Sequence, residues 1–201
     1  MSILKYGIMG GSFNPIHNAH IHMAEDVMSA LCLDRIVFIP TGVPPHKKLE
    51  DIEACHRLEM TKLATAGNDK FEVFDIEILN QGTSFTVDTV GKLKLLYPDI
   101  EFYFITGADS ILDIPKWKDP HKLMSLCKFV CVKRPNYSDD LEIKIQEIIN
   151  KFGGEIIIVE GSMLDISSTE IRISVKKNKS IEDLVHEAVN RYIKENNLYV
   201  I

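Results

Sequence analysis

Leu4-Lys5-Tyr6-Gly7-Ile8-Met9-Gly10-Gly11-Ser12-Phe13-Asn14-Pro15-Ile16-His17-Asn18-Ala19-His20 decides how this chain is read. The stretch from Leu4 to Met9 is short, largely apolar and ends on a glycine pair, which reads as a buried strand running into a tight turn. A helix follows. Asn14 suits its cap and Pro15 its first position, and Ile16, Met23, Val27, Ala30 and Leu31 give it an apolar beat.

The same alternation continues outward. Strands are predicted at Arg35 to Pro40, Phe71 to Ile78, Glu101 to Thr106, Lys128 to Lys133 and Glu155 to Val159. Helices are predicted at Asp51 to Ala66, Thr86 to Leu96, near Leu123, and at Asp139 to Phe152, with two more closing the chain. The pair Pro44-Pro45 makes Thr41 to Lys48 a loop. Apolar strands alternating with helices imply an α/β fold: a Rossmann-like, doubly wound parallel sheet with helices on both faces. The expected organisation is a single domain over 1–201, with a C-terminal helical segment over about 166–201.

Composition bounds the rest. With 23 Lys+Arg against 29 Asp+Glu, the net charge is −6, opposite to the basic excess that duplex binding by phosphate neutralisation requires, so no nucleic-acid partner is expected. No apolar run reaches the ~20 residues of a membrane span, and Met1 to Tyr6 lacks the pattern of a secretory signal. Cys32, Cys55, Cys127 and Cys131 read as reduced thiols in a chain large enough to need no staples, which places the protein in the cytoplasm. A homo-oligomer is compatible with all of this.

In such a sheet, ligands bind beyond the carboxyl ends of the strands, where the strand order reverses. The polar turns there are Gly10 to His20, Gly42 to Lys47, Gly107 to Asp109 and Asp165 to Arg172. His17 and His20, three apart, share a helix face near its amino-terminal end, where free N–H groups and the dipole favour phosphate. Two imidazoles there could steady phosphoryl oxygens as charge redistributes. The bare pattern leaves other uses open: the G-x-G-x-x-G spacing of dinucleotide sites is absent, but a zinc site from His17 and His20 with His22 nearby, or plain core and surface histidines, would look alike. Ser167 to Arg172 offers hydroxyls and a guanidinium for phosphate, while Ser167 with Glu170 also fits a capping box.

Taken together, these segments resemble the nucleotidylyltransferase superfamily, and within it the bacterial nicotinate-nucleotide adenylyltransferases. The residues that carry the resemblance are Gly10 to His20, Pro44-Pro45-His46-Lys47, Gly82 to Thr89, Gly107-Ala108-Asp109-Ser110, Trp117, Arg134-Pro135 and Ile166 to Arg172. The chain departs from the family's usual Asp at Asn14, Gly at Ala19 and Tyr at Phe85.

The resemblance implies adenylyl transfer from ATP to nicotinate mononucleotide, giving nicotinate adenine dinucleotide and pyrophosphate, with NAD as the pathway product rather than a bound cofactor. It implies Mg²⁺ carried with ATP, no metal ligated by side chains, and two small-molecule substrates as the partners. His17 and His20 become the catalytic pair. Gly10, Gly11, Ser12, Phe13, Gly107, Asp109, Ser168, Thr169 and Arg172 are assigned to ATP. His46, Lys47, Ser84, Phe85, Thr86, Trp117 and Arg134 are assigned to the mononucleotide. Asp109 could equally be a helix cap, and Arg134 an exposed strand-end residue. N–H groups around Ser84 to Thr86 would receive the nicotinate carboxylate. Nicotinamide mononucleotide or phosphopantetheine as acceptor, or a nucleotide-binding domain without turnover, are the alternatives.

Overall fold

Side chains of opposite parity along each strand go to opposite faces of one sheet, and both faces are apolar. The computed structural model describes residues 3–43, 52–80, 82–133, 140–161 and 164–200. Six strands, β1 (Leu4–Gly11), β2 (Arg35–Pro40), β3 (Phe71–Val73), β4 (Ile100–Gly107), β5 (Lys128–Lys133) and β6 (Ile156–Glu160), form a sheet in the order β3-β2-β1-β4-β5-β6. Every pairing is parallel. The order runs outward from β1 in one direction and from β4 in the other, which is the doubly wound arrangement the sequence predicts.

The helices divide accordingly. On one face, Ile8, Phe102, Phe104 and Phe129 pack against α3 (Thr86–Leu96), α5 (Pro120–Leu126) and α6 (Leu141–Phe152), with Ile111 from the short α4 (Ala108–Leu112). On the other, Met9, Phe38, Tyr103, Ile105 and Val130 pack against α1 (Asn18–Leu31), α2 (Ala54–Thr65), α7 (Ser168–Lys176) and α8 (Glu187–Glu195). Phe102 and Phe104 facing one way while Tyr103 and Ile105 face the other is the period-two register of a strand buried on both sides. Among the described residues, no helix is long and apolar enough to cross a membrane. All four cysteines are free thiols, with Cys127 and Cys131 buried.

Two boundaries differ from the sequence expectation in ways that shape the site. The first helix starts at Asn18, capped by His17, rather than at Asn14-Pro15; the Asn14-Pro15 peptide is cis and Phe13 has a φ of 45°. The third strand stops at Val73 instead of Ile78, because β2 pairs with it only through Ile36, Val37 and Phe38. Beyond that point the chain crosses toward Gly42. A Cβ on Gly42 would collide with the Glu77 carbonyl oxygen, so this crossing requires glycine.

Phe129 is fully buried at the centre of β5, with its ring 5.5 Å from Phe104 and 6.3 Å from Trp117. Phe129→Ala is expected to lower the unfolding free energy by about 3–5 kcal/mol, read from the urea midpoint. A loss below about 1 kcal/mol would mean that the aromatic stack does not depend on it.

Candidate active site

The strand order reverses between β1 and β4, so the crevice opens above Gly10-Gly11 on one side and Gly107 on the other. A cleft of about 440 Å³ lies there, with Gly10, Gly11 and Ser12 at one side and Ser84, Phe85, Thr86 and Trp117 at the other. The glycine turn and the α3 entrance, far apart in sequence, therefore share one cavity.

His17 and His20 come together, with ring centroids 3.7 Å apart and planes at 26°, but not by sharing a helix face: His17 is the extended cap residue of α1 and only His20 lies in the helix. The His17 N–H donates to His20 Nδ1 at 3.3 Å, which leaves the proton of a neutral His20 on Nε2. Phe13 sits edge-on to His20 at 5.1 Å and is buried in the core, so its ring supports the imidazole and only its backbone remains for a ligand. Burial brings the His17 pKa down to about 4, and burial with the neighbouring His17 ring pushes His20 well below its ordinary value. Both rings are uncharged at neutral pH. His17 Nδ1 is buried with no hydrogen-bond partner among the described residues. Neither imidazole is among the residues that line this cleft.

The turn is held from the far end of the chain. Ser168 Oγ donates to the Pro15 carbonyl at 2.9 Å, and Arg172 donates to the Asn14 carbonyl at 2.8 Å and to Thr169 Oγ1 at 3.3 Å. Ser167 caps α7, accepting from the Glu170 N–H at 3.2 Å and donating to its carboxylate at 3.0 Å. The cap and the loop contacts coexist: Ser167 serves the helix while Ser168 and Arg172 reach the turn. Gly107 ends β4 as the cap of α4, and Asp109 lies exposed in the first turn of that helix rather than at its cap.

At the other end of the cleft, α3 begins at Thr86 with Phe85 as its cap residue. The Ser84 N–H is taken up by the Val43 carbonyl at 2.8 Å, which removes it from the expected carboxylate donors and leaves Phe85 and Thr86. Ser84 Oγ, by contrast, is buried beside the Glu77 carboxyl, whose pKa it helps to pull down. Trp117 is half-buried, edge-on to Phe104 at 6.0 Å, and lines the cleft beside Lys116 and Lys118. His46, Lys47 and Arg134 lie outside the described residues.

Three residues escape sequence reasoning. Arg57 on α2 is fully buried, donating to the Ser12 carbonyl at 2.7 Å and the Gly42 carbonyl at 3.2 Å, and so ties the turn after β1 to the turn after β2. Glu77 lines the cleft, its carboxyl raised by burial against the opposing pull of the Thr89 hydroxyl, 2.7 Å away, and the Gly42 backbone. Tyr199 donates to Asn14 Oδ1 at 2.7 Å. A charged residue inside a helical pattern reads as solvated, and nothing local separates Arg57 from its exposed neighbours.

The cytidylyltransferase-like family matches residues 8–173. A protein of Clostridium tetani, described as a probable nicotinate-nucleotide adenylyltransferase, is 42% identical over 197 residues, covering 97% of this chain and 98% of the relative. One of Moorella thermoacetica with the same description is 43% identical over 198 residues, covering 97% and 91%. Among solved structures, the Plasmodium falciparum nicotinic acid mononucleotide adenylyltransferase complexed with NaAD superposes with a TM-score of 0.79 at 26% identity, covering 98% of this chain and 97% of that one.

The buried imidazole makes a testable demand on the unliganded protein. The unfolded chain protonates His17 near pH 6.5 and the folded chain does not until about pH 4, so stability is complete above pH 6.5 and falls as pH drops through this window. His17 alone accounts for about 3 kcal/mol of that loss. Urea midpoints between pH 7 and pH 4 should show a shallower slope in His17→Asn than in the wild type. Parallel slopes would place His17 in water.

Proposed function

We propose, from the premise that this chain belongs to the nicotinate-nucleotide adenylyltransferases of the cytidylyltransferase-like family, that its cleft joins ATP to nicotinate mononucleotide. The carrying observation is the adjacency of two unlike subsites: a glycine turn backed by paired imidazoles, and an aromatic-walled cleft closed by a helix amino terminus. The first suits a polyphosphate. The second suits a flat ring bearing a carboxylate.

The 5′-phosphate oxygen of the mononucleotide attacks the α-phosphorus of ATP in line, and the bond from that phosphorus to the bridging oxygen breaks as pyrophosphate leaves. No side chain need become a nucleophile. The work is positioning and charge stabilisation. Gly10 and Gly11 let the nucleotide approach the backbone, and the neutral imidazoles supply hydrogen-bond donors beside it. Phosphate oxygens nearby favour protonation of those rings, so binding would draw them toward the charged form. Arg172 retains guanidinium donors beyond the two that hold Asn14 and Thr169. Magnesium would come as a passenger of ATP, since such an ion is commonly carried by substrate phosphates. When bound it would neutralise charge on the departing pyrophosphate.

Acceptor choice is assigned to the α3 entrance. Phe85 and Thr86 N–H groups are donors a nicotinate carboxylate would satisfy and a carboxamide would meet only in part. Trp117 offers its face to the pyridine ring. The cytoplasm, where thiols stay reduced, suits the four free cysteines.

Pyrophosphate release from Mg-ATP, measured with nicotinate mononucleotide, nicotinamide mononucleotide and phosphopantetheine in turn, should be fastest with the first, with the dinucleotide identified by mass. Turnover with another acceptor would move the substrate, and silence with all three would make the chain a nucleotide-binding domain. His20→Ala should cut turnover by ~10²- to 10³-fold with the fold retained. Near-normal turnover would remove His20 from the chemistry. Trp117→Ala should raise the acceptor's KM more than that of ATP, and equal effects would return Trp117 to packing.

A further inference from the structure

The loop Asn14 to Asn18 carries the first of the two imidazoles and leads into the second, yet four of the hydrogen bonds that hold it involve residues more than 150 positions away. Ser168 and Arg172 hold two of its carbonyls. The Leu184 carbonyl takes the Asn18 N–H at 2.9 Å, and the Asp183 carbonyl takes Asn18 Nδ2 at 3.0 Å. The remaining contact is of another kind. Tyr199 Oη donates at 2.7 Å to Asn14 Oδ1, so a side-chain hydroxyl near the end of the chain fixes the side chain of a loop residue that is only 5% exposed.

Three observations make this contact specific. Tyr199 has a φ of 64°, a backbone conformation a bulky residue adopts only when its surroundings impose it. Leu198 before it is buried in the core beside α8, which anchors the backbone from which the phenol reaches back. Burial raises the phenol's pKa, against the opposing pull of Arg172 and Arg57, so the hydroxyl remains a donor throughout the working pH range. A persistent donor also sets the Asn14 amide, directing its oxygen to Tyr199 and its NH₂ away.

We propose that Tyr199 is a positioning residue for adenylyl transfer: its hydroxyl on Asn14, with Arg172 on the same residue's carbonyl, holds the loop that aligns His17 and His20 with the reacting phosphates. The proposal rests on the adenylyltransferase reading above. The acceptor's cleft at Ser84 to Thr86 and Trp117 makes no use of the contact, so the effect belongs to the transfer step and not to acceptor binding.

The test is a double-mutant cycle of Tyr199→Phe and Asn14→Ala in the full chain, with steady-state turnover of Mg-ATP and nicotinate mononucleotide and thermal melts of each variant. Tyr199→Phe should lower kcat about three- to tenfold, the worth of one buried neutral hydrogen bond expressed as a rate, with the mononucleotide KM within about twofold of the wild type. The double variant should turn over no more slowly than the poorer single one. A lower melting temperature with kcat unchanged would make Tyr199 a packing residue only, and multiplicative losses in the double variant would separate it from Asn14; either overturns the proposal. Wild-type protein that makes no dinucleotide would instead defeat the functional reading itself, so the two failures are distinguishable.

Discussion

The reversal of strand order between β1 and β4 is the constraint from which the rest follows. Where neighbouring strands send their connections to opposite faces, no crossover covers the gap above them, and the chain ends of both strands are left facing a common opening. Here one of those ends is a glycine pair and the other is Gly107. Every group that the sequence reading assigns to a nucleotide would have to reach this opening. The helices packed on the two faces, with Val87 and Val90 on one side and Ala24 and Val27 on the other, hold the sheet rigid beneath it.

What the sequence disclosed was what local physics determines. Strand and helix alternation, burial of the strands on both faces, the glycine turn, the stacked histidines and the Ser167–Glu170 cap each arise from residues a few positions apart, and each was legible. The helix start at Asn14-Pro15 was not, although both residues suit it, because Arg172, Ser168 and Tyr199 hold that dipeptide out of the helix from across the molecule. Periodicity carries no trace of such contacts. The predicted strand over Phe71 to Ile78 failed for a related reason: its alternation is genuine, but a strand ends where its partner does.

The chemistry of the imidazole pair depends on a similar distant arrangement. Two histidines stacked in a wet loop would titrate near their ordinary value, and at neutral pH their charge would fluctuate. Buried, with His20 edge-on to Phe13, they are uncharged at neutral pH, and an anion placed beside them would favour the charged form. Burial here, ordinarily a penalty on a polar ring, tunes its response.

Arg57 carries a different implication. One guanidinium holds the carbonyl of Ser12, in the turn assigned to ATP, and that of Gly42, at the root of the loop assigned to the mononucleotide. Two loops sharing a single cation cannot settle independently, since any shift that draws Gly42 away strips a donor from the pair. A displacement of either turn is therefore felt by the other, and thermodynamic reciprocity makes that coupling equal in both directions. The turns after β1 and β2 are thereby mechanically one piece.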